Sequence, residues 1–310
     1  MQHCFKGAET MNRRDFLKSS GTLAAFSGSV QPDSLQTTRE SLIPWICATC
    51  GTQYSISREP PKACSICEDP RQYVGWEGQR WTTLETLWNI HNNSIQQEEP
   101  NLFSIHTEPV FGIGERAFLI RTPEGNVLWD CVALLDAETR KRISELGGIH
   151  AIAISHPHYY TTMAEWSRAF NEAPIFLHEL DRRWVMRSDA NVRYWAGRTM
   201  KLQAGLTLVH TGGHFDGFQV LVWPDGCSGK GVLLAGDQPE VCSAREWVTF
   251  MYSYPNYIPL GGNALRGVVD AITPFAFDRL YGAFPGRTVD RDAKAVVDRS
   301  AKRYLDALSG

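Results

Sequence analysis

Three hydrophobic runs in the second half of the chain each end on a residue able to bind a metal ion. Ala151 to Ser155 leads into His156-Pro157-His158-Tyr159-Tyr160-Thr161, Leu206 to Gly212 is followed by Gly213 and His214, and Gly231 to Gly236 ends on Asp237. Short apolar runs bounded by Gly, Pro and polar residues read as buried strands. A lone histidine is more often a satisfied core or surface residue. Three histidines and one aspartate, each directly after such a run, restrict the fold to one that gathers strand ends at a common point. Two histidines separated by one residue at a strand end can reach the same metal from a turn.

The surrounding pattern alternates strands with helices. Arg116 to Thr122 and Asn126 to Cys131 flank a Pro-Glu-Gly turn and predict a hairpin. Ala137 to Leu146 and Thr161 to Phe170 predict helices, the first stopped by Gly147-Gly148. Ala173 to Leu177 and Phe218 to Pro224 predict strands, and Arg291 to Leu308 an amphipathic helix. Phe250 to Leu260, rich in aromatics and proline, reads as a loop or lid near the cleft. With 43% hydrophobic residues the 310-residue chain can bury a sizeable core. Its formal charge of −3 argues against holding nucleic acid on a basic face. The uncharged stretch Ser19 to Pro32 is too short and polar to span a bilayer. A small-molecule substrate fits these limits; composition is silent on oligomeric state.

A second concentration of metal-ligand residues lies earlier. Cys47 and Cys50 form one C-x2-C pair, and Cys64 and Cys67 another. Two such turns facing each other supply four thiolates in a tetrahedron, which suits zinc or a single iron. Two disulfides in an exported protein are the alternative. The stretch resembles zinc ribbons and short rubredoxin-like modules. Zinc is the expected ion, with iron open, and four ligands would make the site structural. Cys4, Cys131, Cys227 and Cys242 are isolated and read as small buried or loop residues. Trp76, Trp81 and Trp88 follow the second pair, as packing that joins this module to the rest or as a stacking platform.

At the start, Arg13, Arg14, Phe16, Leu17 and Lys18 resemble the core of a bacterial twin-arginine export signal, which would imply a periplasmic or exported protein. An ordinary basic N-terminus, with a cytoplasmic protein, is the alternative.

The HPHYYT, GGHFDG and LLAGDQ segments together resemble the metallo-beta-lactamase-fold hydrolase superfamily over about residues 100 to 290. HPHYYT aligns with its H-x-H-x-D-H loop, GGHFDG with its third-histidine loop and LLAGDQ with its bridging-aspartate strand. Asp130 falls where the family has a structural aspartate. The resemblance implies an α/β fold, a four-layer αβ/βα sandwich with the metal at one sheet edge, preceded by the small four-cysteine knuckle. Expected bounds are a leader or unstructured segment over 1–40, the cysteine module over 41–75, a connector over 76–100 and the hydrolase-like domain over 101–310. Tyr160 and Thr161 stand where the family has its Asp-His pair, and Phe284 where it has its last histidine. The residues particular to a second metal are thus absent, and one ion, zinc, is expected on His156, His158, His214 and Asp237.

The resemblance implies metal-assisted hydrolysis of a small ester, thioester, lactone or amide. Asp237 is the candidate proton acceptor and Tyr160 the candidate donor to the developing oxyanion, or else an aromatic plug in the lost second site. His178 and Asp216 are candidates to line the pocket or to support His214. A catalytically silent metal-binding scaffold and a rubredoxin-like electron-transfer protein are the competing functions.

Overall fold

The computed structural model describes residues 42–309. The paired-arginine segment and Cys4 lie outside the described residues.

Alternation of side chains decides the architecture. Along Phe118-Leu119-Ile120, Val127-Leu128-Trp129 and Ala151-Ile152-Ala153 every residue is buried, so each strand must be covered on both faces. Phe118, Ile120, Val127, Trp129, Ala151 and Ala153 face inward and pack on Leu208, Leu221, Val232 and Leu234 of a second sheet. The intervening Leu119, Leu128 and Ile152 face outward into a separate core with Ile143 and Trp166, which lie on helices. On the second sheet, outward Val222 and Leu233 meet Leu265, Val268 and Val297 of two further helices. Two sheets face to face, each backed by helices, make four layers.

The first sheet has seven strands, in the order Asn92–Glu99, Leu102–Glu108, Arg116–Ile120, Val127–Trp129, Ala151–Ala153, Ile175–His178 and Val192–Trp195. Its last four are mutually parallel. The second has six, in the order Thr199–Lys201, Thr207–His210, Gln219–Trp223, Val232–Gly236, Arg279–Gly282 and Thr288–Val289. Asn92–Glu99 was not legible as a strand. It is an edge strand with a largely polar sequence, and lies in the stretch read as a connector.

The four-cysteine segment folds as a pair of knuckles. Ile46–Cys47 pairs with Trp81–Thr82, and the first turn closes through Gly51 N–H to Cys47 O at 2.8 Å. Gly51 takes φ +78°, and a Cβ there would stand 3.0 Å from Ala133 Cβ. Trp81 packs edge-on against Tyr54, and Trp88 Nε1 donates to Leu135 O at 2.9 Å, whereas Trp76 is fully exposed. Two of the three tryptophans therefore fasten this region to its neighbours. Phe250 to Leu260 is more regular than a loop: Met251–Ser253 and Ile258–Pro259 pair as a short hairpin. No helix among the described residues is long and apolar enough to cross a membrane.

Candidate metal centre

Strand ends from both sheets deliver the site. His156 and His158 follow Ala151–Ala153, the latter on a single 3-10 turn over Pro157–Tyr159. His214 follows Thr207–His210, and Asp237 follows Val232–Gly236. Nε2 of His156, Nδ1 of His158 and Nε2 of His214 stand 3.3, 3.7 and 3.8 Å from Asp237 Oδ2. A tetrahedral zinc with N and O ligands at its usual bond lengths needs ligand separations of about 3.4 Å. The donor set therefore fits one such ion. Nε2 of His156 and of His214 and Oδ1 of Asp237 are buried with no hydrogen-bond partner among the described residues. Buried polar atoms left unpaired are costly, so a convergent group of them marks a place for a ligand.

The ring orientations follow from the hydrogen bonds behind them. Asp130 Oδ1 accepts from Ser155 N–H at 2.6 Å and from Ser155 Oγ–H at 2.8 Å. Because Ser155 gives its proton to Asp130, it accepts from His156 Nδ1–H at 2.9 Å, which leaves the Nε2 lone pair facing the centre. Asp130 holds this place with φ +64°, a left-handed conformation uncommon outside glycine. His214 Nδ1 can only donate to the carbonyl of Met251, at 3.1 Å, so its Nε2 also presents a lone pair.

Charge states suit a cation. Burial lowers His156 to about 4 and His214 well below its ordinary value, so both imidazoles are neutral at neutral pH. Burial pushes Asp237 upward, but the imidazoles of His156, His158 and His214 outweigh it and hold the carboxyl well below its usual range. Glu115, by contrast, is raised well above the carboxylate range by burial and then by the charge of Asp237. Glu240 is raised for the same two reasons. Neither glutamate was singled out in the sequence, because each is one acidic residue in a segment with no motif. Their interest comes from burial without a basic partner within ion-pair distance among the described residues.

The other expected residues are dispersed. Tyr160 is buried beside Gln53, Met163, Met186 and Arg187, away from the cavity that holds the histidines. His178 stacks flat on His210 with ring centroids 3.9 Å apart. Asp216 pairs with Arg183 at 3.4 Å in an exposed position and does not bond the His214 ring. Phe284 does line the cavity, where the superfamily resemblance placed the last histidine. That cavity, about 940 Å³, opens over His158, His214 and Asp237. Ile113, Val241, Tyr254 and Pro285 give it apolar walls, and Arg71, Glu240 and Arg287 give it charged ones.

The four cysteines also converge. Cys47 and Cys67 Sγ are 3.6 Å apart and Cys50 and Cys64 Sγ 3.7 Å, too far for disulfides. A tetrahedral S4 zinc site has edges of about 3.8 Å, so these thiols fit a metal. Gln79 Nε2 donates to Cys47 Sγ at 3.2 Å, a bond that favours a thiolate there. Cys131 is buried and Cys227 and Cys242 are half-buried, all as free thiols.

Over 267 residues the chain is 49% identical to the uncharacterized protein YmaE of Bacillus subtilis (strain 168), an alignment spanning 86% of this chain and 97% of YmaE. The chain belongs to the YmaE family. No family model matches it. Among solved structures, this YmaE relative is similar to DIM-1 metallo-beta-lactamase, with TM-score 0.53, 13% identity and coverage of 70% of this chain and 98% of that one. VMB-1 gives TM-score 0.52 at 13% identity, again over 70% and 98%. A B3 metallo-beta-lactamase with an active-site glutamic acid gives TM-score 0.50 at 18% identity, over 77% and 97%. At such identities the likeness shows the fold: the YmaE relative has the metallo-beta-lactamase-like α/β fold, with a four-cysteine cluster added near its N-terminus.

Proposed function

We propose that this YmaE relative is a metal-dependent hydrolase using one zinc ion on His156, His158, His214 and Asp237, and that it cleaves a small acyl ester, thioester, lactone or amide. The observation that carries this reading is the group of buried, unpaired donors on the floor of an open cavity. A cavity of that size suits a small-molecule ligand. When bound, the ion supplies Lewis acidity and brings the pKa of water towards about 7.

The chain's own groups supply the rest. The hydrogen bonds to Ser155 and Met251 fix two imidazoles in the ligand tautomer before substrate arrives. Asp237 Oδ1, charged and unpaired, is the acceptor for the proton of an attacking water. Tyr254 closes one side of the cavity and donates its hydroxyl to the backbone carbonyl of Asp237, holding that turn in place. Ile113, Val241 and Phe284 exclude bulk water around an acyl group. Zinc in the four-cysteine module has a structural role in this scheme, and the paired-arginine segment supports export by the twin-arginine route.

Metal analysis at saturating zinc tests the scheme together with a screen of generic acyl esters. Two ions per chain are expected, falling to one in His156→Ala with loss of esterase activity. An unchanged metal content in His156→Ala would sink the hydrolytic centre. Visible iron–thiolate absorption would instead favour electron transfer at the cysteines, and full loading with no hydrolysis would favour the silent scaffold.

A further inference from the structure

We propose that Arg71 is a positioning residue that ties the four-cysteine module to His214, so that a metal in the module sets the affinity and geometry of the three-histidine centre. This rests on the reading of His156, His158, His214 and Asp237 as a metal centre. Arg71 lies four residues beyond Cys67 and is 5% exposed, yet it belongs to the wall of the cavity. Its Nε and Nη2 bond both carboxylate oxygens of Asp69, at 2.6 and 2.8 Å. That fork fixes the guanidinium plane relative to the second knuckle. Nη1 reaches the backbone carbonyl of His214 at 3.4 Å, and the guanidinium carbon stands 4.0 Å from the ring centroid of Phe215, the next residue. Phe215 in turn meets His158 and His156 at 5.1 and 5.5 Å between centroids.

The same segment supports the far side of His214. Ser253 Oγ donates to Arg71 O at 3.1 Å, and Asn256 Nδ2 donates to Pro70 O and Gln72 O at 2.9 and 3.1 Å. Ser253 ends the strand Met251–Ser253, and Met251 O accepts the Nδ1 proton of His214. Both the backbone and the ring of His214 are therefore held by groups resting on residues 69–72. Those residues are in turn placed by Cys64 and Cys67. Short cysteine knuckles of this kind owe their fold largely to their metal. Loss of the ion would free Asp69 and Arg71, and with them the orientation of one ligand.

Cobalt substitution gives a readout separate from hydrolysis, because cobalt bound by imidazole and carboxylate absorbs differently from cobalt bound by four thiolates. Titration of the full-length protein is expected to show two spectroscopically distinct sites. In Arg71→Ala, Arg71→Lys, Asp69→Asn and Cys64→Ser the imidazole–carboxylate site should bind cobalt about tenfold or more weakly, with altered d–d bands. Arg71→Lys keeps the charge and loses the fork, so its failure to rescue separates positioning from charge. Ile143→Ala, a buried truncation on the helix Ala137–Glu145, should lower the melting temperature and leave the cobalt spectrum unchanged. Wild-type protein with no cobalt at the histidines overturns the metal-centre reading and this inference with it. Wild-type affinity and bands in soluble Asp69→Asn and Arg71→Lys overturn the coupling alone, as does an Ile143→Ala spectrum shifted as much as theirs.

Discussion

Ser155 shows what a single hydroxyl decides. It was not singled out by sequence, yet it relays Asp130 to His156 and determines which ring nitrogen faces the centre. In Ser155→Ala the buried Asp130 keeps only one backbone donor from this residue, and His156 loses its anchor. Zinc affinity is expected to fall about 10- to 100-fold, which competition with a chromophoric chelator would measure. Asp181 gives a second, independent test. Its Oδ1 accepts from Gly217 N–H, while burial raises the carboxyl to about 7. The folded state then binds a proton that the unfolded chain has released by pH 5. Stability from this group is full below about 3.8 and is lost as pH rises towards 7. Asp181→Asn should flatten that part of the melting-temperature profile between pH 4 and 7. An identical slope in the variant would show that other groups dominate. His156, lowered to about 4, contributes with the opposite sign in the metal-free protein: stability present above about 6.5 is lost as pH falls through 4.

At the scale of elements, the strands that carry the candidate ligands were the most legible because their covering on both faces leaves continuous apolar runs. Val232–Gly236 and Ala151–Ala153 are examples. The polar edge strand Asn92–Glu99 was hidden for the opposite reason: its pairing with Leu102–Glu108 rests on backbone hydrogen bonds that leave no apolar signature. The first knuckle depends on local conformation more than on burial. Gly51→Ala must adopt φ +78° and bring its methyl 3.0 Å from Ala133 and 3.4 Å from Thr161. A loss of about 1–3 kcal/mol is expected from strain and overpacking, read as a lower urea midpoint. Thr161 O also accepts from Gln53 N–H at 2.9 Å. The knuckle thus docks on the loop where Tyr160 and Thr161 stand in place of the superfamily's Asp-His pair, and the Thr-Gly contact is too small to tolerate a larger side chain.

Across the whole molecule, the two sheets are joined by one buried carboxylate as well as by their apolar faces. Glu99 closes the first strand of one sheet and accepts from Arg279 at 2.7 Å and Tyr281 at 3.0 Å on the other, and from Cys227 N–H at 2.8 Å. Glu99→Ala leaves these donors unmatched. It is expected to cost about 2–4 kcal/mol, at the lower end because Arg279 is partly exposed, while metal content stays at the wild-type value. Chemical unfolding with metal analysis on the same samples would check both halves.

The sequence by itself determined the candidate donor types, their strand-end placement and the alternation of strands with helices, because hydrophobic periodicity and C-x2-C or H-x-H spacing are local properties; the four-layer fold was what the superfamily resemblance implied. Only the tertiary structure decided which residues share the cavity. It placed Tyr160, His178 and Asp216 elsewhere, and it brought Glu115, Glu240 and Arg71 towards Asp237 and His214. The physical reason is separation along the chain. Arg71 meets a carbonyl 143 residues away, and no local pattern encodes a contact formed only when the segments of two candidate metal sites pack together.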